Sequence, residues 1–323
     1  MNFFNQMSSK TGESRRIFLK EAMSAALIAT TDPSLLDKSN MLRTLQQKNK
    51  MKIEKKLAVL QIDSVLGDIN TNLQKISSMV HTIEDKEVRM AVFCEYGTTG
   101  YSLDLNSVAE EIPGKTVSFL EKLAEKKNIW ISGGMIEKGD NNKPYNTSIM
   151  ISPTKGLVAK YRKVHPFSFE KNHISYGDQE VIVDTELGKV GMTICYDFMF
   201  PEYIRGLALK GAQIILNSTF WFADEISGPA GWSPEQSKAL AIARALENNV
   251  FVGMSCRTGT EKKLWGFGHS VIVGPQGKIL AEADRKEEII VAPIDLEMRN
   301  TWANYATYMA DRRLDLYDRL LDF

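Results

Sequence analysis

Three residues of this chain could together carry out acyl transfer: a cysteine, a glutamate and a lysine, each standing where a strand-like run gives way to a turn. Cys195 ends the apolar run Val190-Gly191-Met192-Thr193-Ile194 and is followed at once by Tyr196-Asp197-Phe198-Met199-Phe200-Pro201-Glu202. Glu95 follows Ala91-Val92-Phe93-Cys94 and precedes the turn residues Gly97-Thr98-Thr99-Gly100-Tyr101, and Lys163 follows Val158-Ala159-Lys160-Tyr161-Arg162. A thiol at such a corner is presented rather than buried. The N–H groups of the following turn lie beside it, and these lower a thiol's pKa and can hold an oxyanion. Singly, a free cysteine is more often a small core hydrophobe, and a strand-end glutamate or lysine is more often solvated or paired. Together they supply a nucleophile, a base and a cation, as attack on a carbonyl carbon requires.

The elements that must position these residues follow from periodicity. From Leu57 the pattern reads βαβαβ: strands at 57–62, 89–94 and 129–132, the last ending in Gly133-Gly134, with helices marked by Ile69, Leu73, Ile76 and Val80 and by Val117, Leu120 and Ala124. Strands at 146–151, 157–161, 181–183 and 190–194 follow with short turns. Pro201 and Pro234 each open a helix, strands are expected at 213–216 and 250–255, and Gly274-Pro275-Gln276-Gly277 turns a hairpin between 270–273 and 279–283. A strand at 289–294 closes the series. This order predicts an α/β domain, residues 52–295, of two packed β layers covered by helices, with strand ends sharing one rim.

A chain of 323 residues with 43% hydrophobic content can bury a sizeable core. Forty basic and forty acidic side chains leave no net charge to attract nucleic acid or an anionic membrane, so a small ligand is expected. Cys94, Cys195 and Cys256 match no disulfide or metal framework, and His81, His165, His173 and His269 lack zinc-site spacing; neither metal nor cofactor is expected. Residues 1–51 read as a polar leader in which Ser14-Arg15-Arg16-Ile17-Phe18-Leu19-Lys20 resembles a twin-arginine export signal, which predicts a periplasmic protein. Against that, Glu21 interrupts the apolar stretch and no clean cleavage site precedes Asp32-Pro33; without export the protein is cytoplasmic. That stretch is too short to span a membrane. The tail, 296–323, carries Trp302, Tyr305, Tyr308, Leu314, Leu316 and Tyr317, which suits a subunit interface or docking on its own domain.

From about Leu57 to Asp295 the sequence resembles the nitrilase superfamily of carbon–nitrogen hydrolases. The resemblance rests on Glu95-Tyr96-Gly97-Thr98-Thr99-Gly100-Tyr101, on Tyr161-Arg162-Lys163-Val164-His165, and on Cys195-Tyr196-Asp197 with Phe200-Pro201-Glu202, in the family's order. It implies a four-layer α-β-β-α sandwich, a Glu95-Lys163-Cys195 triad, and a homodimer or higher homo-oligomer. It also implies a second glutamate between lysine and cysteine, for which Glu170 is the best match and Glu180 the fallback. One departure is Cys94, where the family usually has proline; it places a second thiol, and an oxidation liability, beside the base. Tyr196-Asp197 after the nucleophile is similar to amidase and carbamoylase members, whereas nitrile-hydrolysing members tend to carry Trp-Glu. A small amide or N-carbamoyl substrate is therefore expected, with the Tyr196 N–H at the oxyanion and Tyr101, Phe220 and Trp221 as candidate pocket aromatics. Nitrile hydrolysis and a non-catalytic binding or scaffold role are the alternatives. A papain-like protease would leave Lys163 and Glu95 idle.

Overall fold

The computed structural model describes residues 54–101, 104–139, 143–168 and 170–317. The twin-arginine-like leader lies outside them. Glu54–Phe323 forms one compact unit built on two six-stranded sheets. The first takes β1 (Lys56–Gln61), β2 (Val88–Phe93), β3 (Trp130–Glu137), β4 (Tyr145–Ser152) and β5 (Gly156–Arg162) in chain order, with β15 (Glu288–Pro293) on the outer side of β1. The second runs β14 (Ile279–Glu282), β13 (Val271–Val273), β10 (Phe251–Cys256), β8 (Ile214–Thr219), β7 (Gly188–Ile194), β6 (Ile182–Thr185). Each has a parallel centre, β1-β2-β3 and β7-β8-β10, flanked by antiparallel strands.

The strand period of two sorts side chains into layers. In β1, Leu57 and Val59 face the second sheet, while Ala58 and Leu60 pack under helices. The covering helices on that side are α1 (Ile69–Thr82), which contributes Leu73, Ile76 and Val80, and α2 (Lys115–Lys127), which contributes Val117, Leu120 and Leu123. The second sheet is covered by α4 (Pro201–Leu209) and α5 (Pro234–Asn248), which bury Ile204, Leu207, Ala241 and Ala245. In the chain α3 (Glu170–His173), a single turn, follows β5 and precedes β6. The result is the expected α-β-β-α sandwich. Helix ends follow their sequence signals: Asp68 accepts from the Thr71 N–H at 3.0 Å, and Gln236 reaches back to the Ser233 N–H at 2.7 Å.

Two features differ from the sequence reading. First, β3 does not stop at Gly133-Gly134 but continues to Glu137. The glycines permit close approach: a Cβ at Gly134 would sit 2.8 Å from the Glu95 Cα, and one at Gly133 would sit 2.3 Å from the Phe93 ring. Second, a small three-stranded sheet of β9 (Phe222–Ala223), β12 (Leu264–Phe267) and β11 (Thr258–Glu261) flanks the rim. Its strands are two to four residues long, too short for periodicity to reveal. Within the tail, α6 (Leu296–Tyr305) and α7 (Leu314–Tyr317) bury none of their residues fully. The tail touches its own domain through Leu296, which packs against the core between the sheets, and through polar bonds, Arg299 Nε to the Asn249 carbonyl at 2.8 Å and Tyr308 OH to the Leu246 carbonyl.

Candidate active site

Glu95, Lys163 and Cys195 lie just past the C-terminal ends of β2, β5 and β7, and the packing of the two sheets brings them together with Glu170 at the start of α3. The Lys163 ammonium is 2.7 Å from Glu95 Oε1 and 2.7 Å from Glu170 Oε2. All three groups are buried. Asn146, on β4, braces both carboxylates by donating from Nδ2 to Glu95 Oε1 at 2.8 Å and to Glu170 Oε1 at 3.3 Å. Tyr96 OH donates to Glu170 Oε1, and the Phe167 N–H donates to Glu170 Oε2 at 2.6 Å. Glu180 is elsewhere, paired with Lys210.

Phe220 links Glu95 and Cys195 through its backbone. Its N–H donates to Glu95 Oε2 at 2.8 Å, and its carbonyl lies 4.0 Å from Cys195 Sγ. The cysteine itself sits at a sharp corner with φ +45, and Tyr96, after the glutamate, has φ +55. Left-handed backbone at a side-chain-bearing residue costs about 1–3 kcal/mol and persists only where surrounding contacts impose it. Asp197 imposes it at the cysteine. Its Oδ2 accepts from the Ile194 N–H at 2.8 Å and Tyr161 OH at 2.7 Å, and its Oδ1 from the His165 N–H at 3.2 Å and His165 Nδ1 at 2.8 Å. Asp197 thereby ties the Cys195 corner to the chain carrying Lys163. The 3-10 turn that begins at Cys195 leaves its first N–H groups, that of Tyr196 among them, without acceptors inside the turn.

Charge follows geometry. Burial pushes the Glu95 carboxyl above its ordinary 4.5; Lys163 opposes that and Glu170 reinforces it. For Lys163, burial works against the charged form, but Glu170 and Glu95 outweigh it and hold the ammonium well above its ordinary 10.5. The Cys195 thiol is raised well above 9.0, first by burial and then by the Glu95 carboxylate, with Lys163 pulling the other way. This corrects the sequence expectation of a lowered thiol: the turn's N–H groups do not outweigh enclosure and a neighbouring carboxylate. The resting sulfur is therefore protonated and needs a base. The oxidation liability expected at Cys94 is also corrected, while the reading of Cys94 and Cys256 as buried thiols agrees with the structure. The Cys94 side chain packs into the core on the helix side of the first sheet, and burial pushes its thiol up to about 12, so it is not exposed to oxidants.

Cys195 opens into a cavity of about 350 Å³. Phe167, Tyr196, Phe220, Trp221, Phe222 and Trp232 supply its rings, and Ser168, Asp224 and Ser227 its polar side chains. Trp221 and Trp232 stack with centroids 4.7 Å apart. Tyr101 is not among the lining residues. It packs behind them, 5.6 Å from the Phe220 ring and 5.9 Å from that of Phe222. Sequence reasoning missed Asn146 and Asp224, which sit outside the recognisable motifs. It also missed the Arg257–Glu261 pair, buried beneath Phe220 with the guanidinium 4.6 Å over the ring. Among the described residues no group of three or more His, Cys, Asp or Glu could hold a metal ion. No described helix is long and apolar enough to cross a membrane.

Comparison with known proteins gives a consistent family. The carbon–nitrogen hydrolase family profile matches residues 56–304. A probable nitrilase of Schizosaccharomyces pombe is 36% identical over 82% of this chain and 98% of its own length. An omega-amidase of Saccharomyces cerevisiae is 34% identical over 81% of this chain and 94% of its own. The 2-oxoglutaramate amidase of Bacillus subtilis is 32% identical over 81% and 98%. The crystal structure of Nit3 from Saccharomyces cerevisiae, described as a member of branch 10 of the nitrilase superfamily, superposes with a TM-score of 0.70 at 32% identity, covering 79% of this chain and 96% of that one.

Proposed function

Because the chain belongs to the carbon–nitrogen hydrolase family of the nitrilase superfamily, we propose that it cleaves a small amide or N-carbamoyl compound through a thioester on Cys195. The observation that carries this reading is the single Lys163 ammonium held between Glu95 and Glu170, with Glu95 joined through the Phe220 backbone to the edge of the thiol. Glu95 takes the Cys195 proton, and the thiolate attacks the carbonyl carbon. The oxyanion is met by Lys163 and the Tyr196 N–H; one such donor is worth roughly 3–4 kcal/mol of barrier. Glu95 then gives its proton to the departing nitrogen, leaving a thioester. Water, deprotonated by the same carboxylate, attacks the thioester; the acid leaves and the thiol recovers its proton. Glu170 holds Lys163 and orients the substrate nitrogen.

The experiment is ammonia release from a panel of small amides, carbamoyl amino acids, carbamoyl amines and nitriles, with Cys195→Ala as control. Release from amides or carbamoyl compounds, absent in the control, is the expected result; release from nitriles alone would replace the reading with a nitrilase. A second check is pH dependence. Glu95 acts as a base only when ionised, and its carboxyl is raised. The acid limb of kcat/KM is therefore expected to have its midpoint above 4.5, and a midpoint at or below that value would remove Glu95 as the base.

The assembly we infer is a homodimer or larger, because Tyr305, Leu314 and Leu316 are exposed. Export by the twin-arginine route rests on Ser14–Lys20 alone.

A further inference from the structure

We propose that the substrate's acyl group ends in a cation, an ammonium or guanidinium, recognised by Asp224 and the surrounding rings. The reaction rests on the hydrolase reading above; the recognition can be tested without it.

The argument begins with the charges at the cavity. Among the described residues lining it, none is Arg, Lys or His, and the one ionisable carboxylate is Asp224. Lys163, the cation that acts on Cys195 from outside the lining, is already matched to two carboxylates at 2.7 Å each. One ammonium between Glu95 and Glu170 leaves no surplus positive charge for a substrate carboxylate. An anionic acyl group would thus enter a site of the same sign with no partner waiting.

Asp224 is both fixed and available. Its Oδ1 accepts from the Ile226 N–H at 3.0 Å and from the Ser227 N–H and Oγ at 2.7 Å each, which pins the loop following β9. None of these bonds uses Oδ2. The same donors hold the carboxyl below its ordinary 3.8, so it is ionised at neutral pH. Ring faces complete the recognition, since an alkylammonium or guanidinium over Trp or Phe is attracted by the ring quadrupole. Phe222, Trp221 and Trp232 line the same cavity as Asp224. This would set the chain apart from its Bacillus subtilis relative, whose named substrate, 2-oxoglutaramate, carries a carboxylate.

The test compares three amides of equal length: 5-aminopentanamide, pentanamide and glutaramate. Their kcat/KM values should fall in that order, with the cation about 10-fold above the neutral amide. Asp224→Asn keeps an Oδ1 acceptor for the turn and should lower the cation-to-neutral ratio about 10-fold; a ratio measured within one sample is insensitive to any unfolded fraction. Separately, calorimetry on the Cys195→Ala protein should show pentylammonium binding and pentanoate not. A preference for glutaramate, an Asp224→Asn ratio equal to that of the parent, or tighter pentanoate binding would overturn the proposal. Pentylammonium binding without ammonia release from any amide would instead overturn the hydrolase reading and leave the recognition standing.

Discussion

Lys163→Ala should lower kcat/KM for amide hydrolysis by at least about 10³-fold and should also destabilise the protein at neutral pH. Loss of one oxyanion donor alone accounts for about 10²–10³ in rate. The remainder comes from the base. Without the ammonium, Glu95 and Glu170 are two buried carboxylates sharing the Asn146 amide, and like charges so placed cannot both stay ionised. A proton held there at pH 7 disables Glu95. Removing one partner of a buried ion pair costs about 3–5 kcal/mol. The sign of the pH dependence follows from the carboxyls. In the variant the Glu95 carboxyl, already above its ordinary 4.5, loses the opposing ammonium and rises further, so the variant folds best below that value and loses stability as pH rises through the raised pKa. Denaturant melts at pH 4 and pH 7 should show a deficit relative to the parent that is larger at pH 7. An equal deficit at both would mean that burial of charge is not the cause. In the parent, Lys163 itself contributes stability below 10.5 that is lost as pH rises through its raised pKa.

Glu95→Gln should lower kcat by about 10²–10⁴-fold, the span that base assistance contributes. Glutamine has one acceptor oxygen where Glu95 uses two, so it can accept from the Phe220 N–H or from the Lys163 and Asn146 donors but not from both; Lys163 keeps Glu170, so the lysine remains paired. What is lost is the proton acceptor beside a thiol that burial keeps protonated. Residual turnover should also lose the acid limb that belongs to Glu95, so kinetics across pH 4–8 separate a missing base from a distorted pocket. A variant with more than a tenth of the parent activity would show that another group deprotonates Cys195.

Most of the sandwich was legible in the chain. The short apolar run of β1 and the helical spacing in α1 and α2 are set by each residue's near neighbours, so such elements can be read one segment at a time. The same holds for the strand-end positions of Glu95, Lys163 and Cys195, where an apolar run stops and a turn begins. The glycine pair in β3 misled because its reason lies elsewhere in the chain, in the Phe93 ring and the Glu95 backbone that press against it. The tail's aromatics suggested an interface or a docked element; what its spacing did not show is how it meets its own domain, through Leu296 against the core and through polar bonds from Arg299 and Tyr308.

What the sequence alone determined was the set of reacting groups and the strands that carry them, because local periodicity and turn chemistry act within a few residues. What tertiary structure decided was their convergence. Lys163 meets Glu95 across 68 positions, and Phe220 meets it across 125. Contacts at such separations depend on sheet order and on two sheets packing face to face, which no local pattern encodes. The thiol's protonation was settled in the same way. Adjacent N–H groups predict a lowered pKa, but enclosure and a carboxylate from another strand reverse it, because desolvation and charge act through space rather than along the chain.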